Sequence, residues 1–202
     1  MYNILMTKNE LEEIKESVYE LAKNCHDQHC SDHLNRVASN AQKAVLVLNL
    51  ENKIDQNLLQ AICFLHDITY FQKKQKRKAF TYLFERKIVK KILTSFLSQK
   101  NISSEEKQII LNACSRHPHS FPFKRLNKTQ DSYTKVLQDS DTLDFFSQHQ
   151  IFKFKAMTKK SFYAPIYQKI SEKLVVFGRK NLKNYLNYPV LYEQIFLAEN
   201  NN

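Results

Sequence analysis

A nearly all-helical fold is what this sequence predicts, and three observations carry the prediction. Glycine occurs once in 202 residues and proline four times. Sheet turns and phosphate loops both depend on glycine for positive φ and close backbone approach, so neither a sheet-rich fold nor a glycine-rich nucleotide loop fits. Apolar residues recur at three- and four-residue steps along almost the whole chain, the helical period. Finally, 43% hydrophobic and 25% charged residues suit one soluble core of ordinary size.

The elements follow in chain order. Leu11, Ile14, Val18 and Leu21 draw one apolar stripe on a first helix. Ser31 and Asp32 are good N-cap types, and Leu34, Val37, Ala41, Val45 and Leu48 share one face after them. Leu58, Leu59, Ile62 and Leu65 mark a third helix, expected to end near Ile68. Arg77 to Leu97 reads as a long amphipathic helix whose apolar face carries Phe80, Leu83, Phe84, Ile88, Ile92 and Phe96. Ser103-Ser104-Glu105-Glu106 is a helix start before Ile109, Ile110 and Ala113, and Pro118 and Pro122 then enforce a break. Another helix is expected over about 132–147. Residues 160–199 read as helical, interrupted at Gly178 and Pro189. The chain reads as a single domain over 1–202, with a core of about 25–147 and a C-terminal helical extension of about 160–199.

Net charge is +11, which suits anionic partners, although a lysine-rich composition alone gives the same balance. No apolar run exceeds Ala44 to Leu48 and mean hydropathy is −0.52, so no membrane span is expected. Met1 to Glu13 lacks the apolar core of an export signal. Cys63 and Cys114 sit singly in apolar stretches rather than in a disulfide framework, and a cytoplasmic location is expected.

Several polar residues lie where the apolar stripes predict burial. His33 precedes Val37 by one turn, His66 follows Ile62 by one turn with Asp67 beside it, and Asp141 stands one turn from Leu137 and Phe145. Burying two imidazoles and two carboxylates without partners costs several kcal/mol, on the order of 2–7 for each polar group. A divalent metal satisfies all four at once.

Three segments carry a family resemblance: Asp32-His33-Leu34-Asn35-Arg36-Val37 opening a helix, Ala61 to Ile68 with its His66-Asp67 pair, and Gln138 to Asp144. In order, spacing and helical setting they resemble the HD-domain metal-dependent phosphohydrolases, over roughly residues 25–147, and most closely the small single-domain members. The resemblance implies that His33, His66, Asp67 and Asp141 ligate a divalent ion (Mn, Fe, Co, Ni, Zn or Mg). It also implies that a metal-activated water attacks phosphorus of a small phosphorylated substrate, a nucleotide being favoured. Asp67 is then both ligand and catalytic residue.

Two positions depart from the family pattern. Where some nucleotidases of the family keep a glutamate one turn after the His-Asp pair, this chain has Tyr70, which leaves Asp139 as the candidate base or orienter of a ligand. Where glycines usually follow the distant aspartate, Phe145, Phe146 and Ser147 stand, expected to reshape the pocket. Arg36, Lys73, Lys74 and His117 are candidate phosphate contacts. Arg36 has the alternative of pairing with a structural carboxylate, and His117, like His119, has that of a ligand to a second ion or of a plain loop residue. The cluster Cys25, His26, His29, Cys30 is a candidate for structural zinc, although its four residues do not form the two separated pairs common in such sites. Two other readings are a nucleic-acid-binding helical module, which is not favoured because the aromatics sit at core spacing, and a family member that holds metal without turnover.

Overall fold

A computed structural model describes residues 6–23, 31–71, 78–117, 129–152, 173 and 175–198, with 78–85 as backbone. Among these residues there is no strand, and the all-helical prediction holds. Six α-helices form the body: α1 (Lys8–Ala22), α2 (Ser31–Val47), α3 (Gln56–Leu65), α4 (Lys78–Leu97), α5 (Ser104–Arg116) and α6 (Ser132–Phe145).

Their starts are written in side-chain oxygens. Thr7 and Ser103 each accept from the backbone of the third helical residue, while Glu10 and Glu106 reach back to the cap amide in two complete capping boxes. Asp55 caps α3 by accepting from Asn57 and Leu58, and Asp131 caps α6 by accepting from Thr134. The end of α2 shows how a chain with a single glycine turns a corner. Asn49 takes φ of 53°, donating to Leu46 O at 3.2 Å while Leu50 donates to Val45 O at 3.0 Å, which is a Schellman closure built on asparagine.

The packing centres on α2 and α3. Helix α2 lies against α6 and α3, α3 is also packed by α1 and α5, and α4 covers α5. Ile14, Val18, Leu34, Val37, Ala41, Leu59, Ile62, Leu65, Ile110, Val136 and Leu137 are all fully buried in one core. Two stripes differ from expectation by about one residue. In α1 the buried edge is Ala22, leaving Leu21 43% exposed. In α4, Val89, Leu93 and Leu97 are buried while Ile92 and Phe96 lie at the border, since rows one residue apart straddle the same groove. The side chains of Phe80, Leu83 and Phe84 lie outside the described residues.

Helix α3 ends at Leu65, before the expected Ile68, and a 3₁₀ turn over Ile68–Phe71 takes the chain away. Near the C-terminus the helical stretch over 175–180 runs through buried Gly178 and stops at Asn181, whose side chain donates to Phe177 O at 2.8 Å. A lone glycine costs a helix only about 1 kcal/mol relative to alanine, so it does not have to break one. A 3₁₀ turn (Leu182–Asn184) and a π-helical turn (Tyr192–Leu197) follow. No helix among the described residues is long and apolar enough to cross a membrane.

Candidate metal centre

The helices bring the three motifs to one point. His33 stands in the first turn of α2, His66 caps α3 with Asp67 next to it, and Asp141 lies on α6. His33 Nε2 is 3.2 Å from His66 Nε2, 3.3 Å from Asp67 Oδ2 and 3.4 Å from Asp141 Oδ1. His66 Nε2 is 3.4 Å from Asp67 Oδ2 and 3.8 Å from Asp141 Oδ1. Donors at adjacent corners around an ion with bonds near 2.1 Å stand roughly 3.0 Å apart in an octahedron and 3.4 Å in a tetrahedron. The spacing therefore matches a coordination sphere. The donor set fits as well: two imidazoles and two carboxylates suit a divalent transition metal, whose charge offsets both anions.

The tautomers are fixed from outside the cluster. His66 Nδ1–H donates to Cys63 O at 2.6 Å, which leaves its Nε2 lone pair facing inward. His33 Nδ1 faces Asp144 Oδ2 at 2.7 Å, and Asp144 in turn accepts from Arg36 Nε at 2.5 Å and Arg36 Nη2 at 3.2 Å. Gln150, on the short helical stretch after α6, donates from Nε2 to Asp144 Oδ2 at 3.0 Å and lies 3.1 Å from His33 Nδ1. Asp144 and Gln150 are thus members of the site that the sequence reading did not assign.

Electrostatics separate the histidines. Burial opposes charge on His33, but the hydrogen bond to Asp144 and the carboxylates of Asp67 and Asp141 outweigh it and raise its pKa to about 10. Burial likewise opposes charge on His66, and Asp67 and Asp141 again shift it upward. Asp144 goes the other way: burial opposes its ionisation, yet His33 and Arg36 hold it down at about 2. Burial pushes the Cys63 and Cys114 thiols up, so neither is a ready thiolate ligand.

His117 caps α5 and is 4% exposed, so it is part of the buried cluster rather than of a polar loop. Its Nδ1–H donates to Cys114 O at 2.8 Å, its Nε2 lies 3.8 Å from Asp67 Oδ1, and its ring meets His66 edge-on at 4.9 Å. His66, Asp67 and His117 form a second group able to hold an ion, sharing His66 with the group of His33, His66 and Asp141. Burial and the neighbouring His66 lower the His117 pKa to about 4, which keeps it neutral.

Other candidates are placed elsewhere. Asp139 was expected to orient a ligand, but its carboxylate accepts from Asn187 N at 2.7 Å, Asn187 Nδ2 at 3.0 Å and Tyr188 N at 2.8 Å, tying the C-terminal segment to α6. The reason is geometric, because residues two apart on a helix point about 200° apart, so Asp139 and Asp141 face opposite ways. Arg36 takes its carboxylate-pairing alternative. Phe146 is 1% exposed and joins the core, whereas Phe145 is 47% exposed. Lys73, Lys74, His119 and the cluster Cys25, His26, His29, Cys30 lie outside the described residues.

Comparison with known proteins agrees with this geometry. A family model, the HD domain, matches residues 30–145. None of the curated proteins matches the chain. A crystal structure of a protein from Lactobacillus plantarum superposes with a TM-score of 0.55 at 21% identity, covering 74% of this chain. This chain spans 61% of that protein's length. A predicted HD superfamily hydrolase from an uncultured Thermotogales bacterium superposes with a TM-score of 0.54 at 21% identity, covering 96% of this chain and 99% of its own. With the family model extending over more than half its length and all four clustered residues inside the match, the chain belongs to the HD-domain family.

Proposed function

We propose that the protein is a metal-dependent phosphohydrolase acting on a small phosphorylated molecule, with a nucleotide as the favoured substrate class. The observation that carries this reading is the convergence of His33 Nε2, His66 Nε2, Asp67 Oδ2 and Asp141 Oδ1, in which each nitrogen lies within 3.8 Å of each carboxylate. When bound there, a divalent ion supplies a Lewis acid for a phosphoryl oxygen and lowers the pKa of water beside it.

The chain's own groups supply the rest. Asp144 and Arg36 hold the His33 ring, and the carbonyls of Cys63 and Cys114 hold those of His66 and His117. Asp141 is the open side of the cluster, its side chain 21% exposed against 0–5% for His33, His66 and Asp67, so substrate approaches past it. Asp67 Oδ1, turned toward neutral His117, is the acceptor assigned to the proton of the attacking water.

Release of inorganic phosphate from a panel of nucleotides, sugar phosphates and short polyphosphates, with manganese, cobalt, nickel or iron added, tests the proposal. Metal-dependent turnover that disappears in His66→Ala/Asp67→Ala supports it. Bound metal with no turnover across the panel favours instead the second reading, a member that holds its ion for structure. Tyr70 at the position of the family acid and the engagement of Asp139 by Asn187 are the observations on that side.

A further inference from the structure

We infer that this chain carries a second ligand pocket, beside the metal centre and free of its ligand residues, for a small organic anion with an apolar body. A cavity of about 390 Å³ opens between the outer face of α2, the end of α6 and the C-terminal π-helical turn. That volume lies in the range of small-molecule sites. Arg36, Lys43 and His149 bring basic groups to it, Ser147 a hydroxyl, and Ile195 and Phe196 an apolar wall. None of His33, His66, Asp67, His117 and Asp141 lines it, while Arg36 and Asp144, which hold the His33 ring, form the wall it shares with the metal centre, so a ligand here lies beside the ion's donors rather than on them.

The charge is one-sided. Among the described residues of the lining Asp144 is the one carboxylate; it is 1% exposed, already accepts from Arg36 and faces His33 Nδ1. Arg36 gives two of its five N–H donors to Asp144 and keeps its side chain 27% exposed, so the guanidinium presents further donors beside Lys43. The opposite wall is built before any ligand arrives. Arg179 sits over the Phe196 ring at 5.3 Å, and Tyr192 stacks on it at 5.7 Å with 20° between the planes. The turn that shapes this wall is π-helical, a rare form that is frequent at functional sites. Paired cations at one end and an apolar surface at the other select a phosphate, sulfonate or carboxylate carried on a ring or short hydrocarbon.

The test uses the full chain bearing His66→Ala/Asp67→Ala without added metal, so that the metal centre cannot supply the binding. Adenosine monophosphate is followed by calorimetry and anilinonaphthalene sulfonate by fluorescence, with inorganic phosphate and adenosine as the two halves of the ligand. At least one probe is expected to bind saturably and more tightly than either half. Losing a charge-assisted hydrogen bond weakens binding by about tenfold or more, the effect expected of Lys43→Ala. Ser39→Trp, which fills the cavity, is expected to abolish binding. Should that variant fail to fold, His149→Ala joins Lys43→Ala as the test. Absence of binding by both probes, or affinities that ignore all of these substitutions, overturns the inference.

Discussion

His33 and His117 flank the same cluster, each 4% exposed, yet their pKa values move in opposite directions, to about 10 and about 4. Burial acts alike on both, so the difference lies in what each ring faces. His33 has a carboxylate at Nδ1 and two more around Nε2. His117 has a backbone carbonyl at Nδ1, its carboxylate contact stands 3.8 Å away, and it shares an edge with His66. One histidine must give up a proton before it can ligate, and the other presents a lone pair already. The fold thus holds a ring that competes with protons beside one that does not.

The largest effect comes from removing the group that raises His33. Asp144→Ala strands Arg36 and frees the ring. Breaking a buried pair costs on the order of 3–5 kcal/mol, and losing such an outer partner costs a metal site about 10–100-fold in affinity. Thermal unfolding and a manganese titration read the two effects, and Asp144→Asn, which keeps the shape, is expected to show the second with less of the first. An unchanged metal affinity in both variants would separate His33 from its assigned role.

The His33 shift then sets a pH dependence. Its folded pKa lies above the unfolded value, so the stability it lends the metal-free protein is fully present below pH 6.5 and fades as pH rises toward 10. Metal binding runs oppositely, because a bare Nε2 is required. Affinity for manganese should rise by at least about tenfold per pH unit above pH 6.5, with at least one proton released per ion, because His66 is shifted upward as well as His33. A flat profile would mean that His33 is not protonated in the free site.

His117 contributes with the reverse sign. Its folded pKa is depressed, so its stabilisation is present above pH 6.5 and lost as pH falls toward 4, by about 3 kcal/mol in all. Replacement by phenylalanine should flatten the loss of stability between pH 6.5 and 4 in urea unfolding. Gln150→Leu is the mildest change, expected to lower metal affinity a few-fold and stability by about 1 kcal/mol while leaving the helices intact.

The same contrast explains what the sequence disclosed. The four clustered residues were readable because each sits in a short segment whose helical spacing marks it as buried and polar, and the resemblance tied the segments together. Asp144 lay inside a quoted motif, but its meeting with His33 spans 111 positions and exists only once α2 packs on α6. Gln150 gave no signal, being one glutamine in a polar stretch, 117 positions from the ring it touches. Asp139 was misassigned although helical geometry alone sets it on the face opposite Asp141. The helices were legible from period and caps, with errors of one residue where neighbouring rows border the same groove. The π-helical turn was not legible, since the sequence over 192–197 has the same spacing as an ordinary helix.

The most direct test is the metal content of the purified protein by elemental mass spectrometry, beside the His66→Ala/Asp67→Ala variant. The account predicts about one equivalent of a divalent transition metal in the wild-type chain, lost in the variant, because its ligand atoms converge on one centre. No bound metal after incubation with manganese, nickel or iron, or metal retained by the double variant, would contradict it.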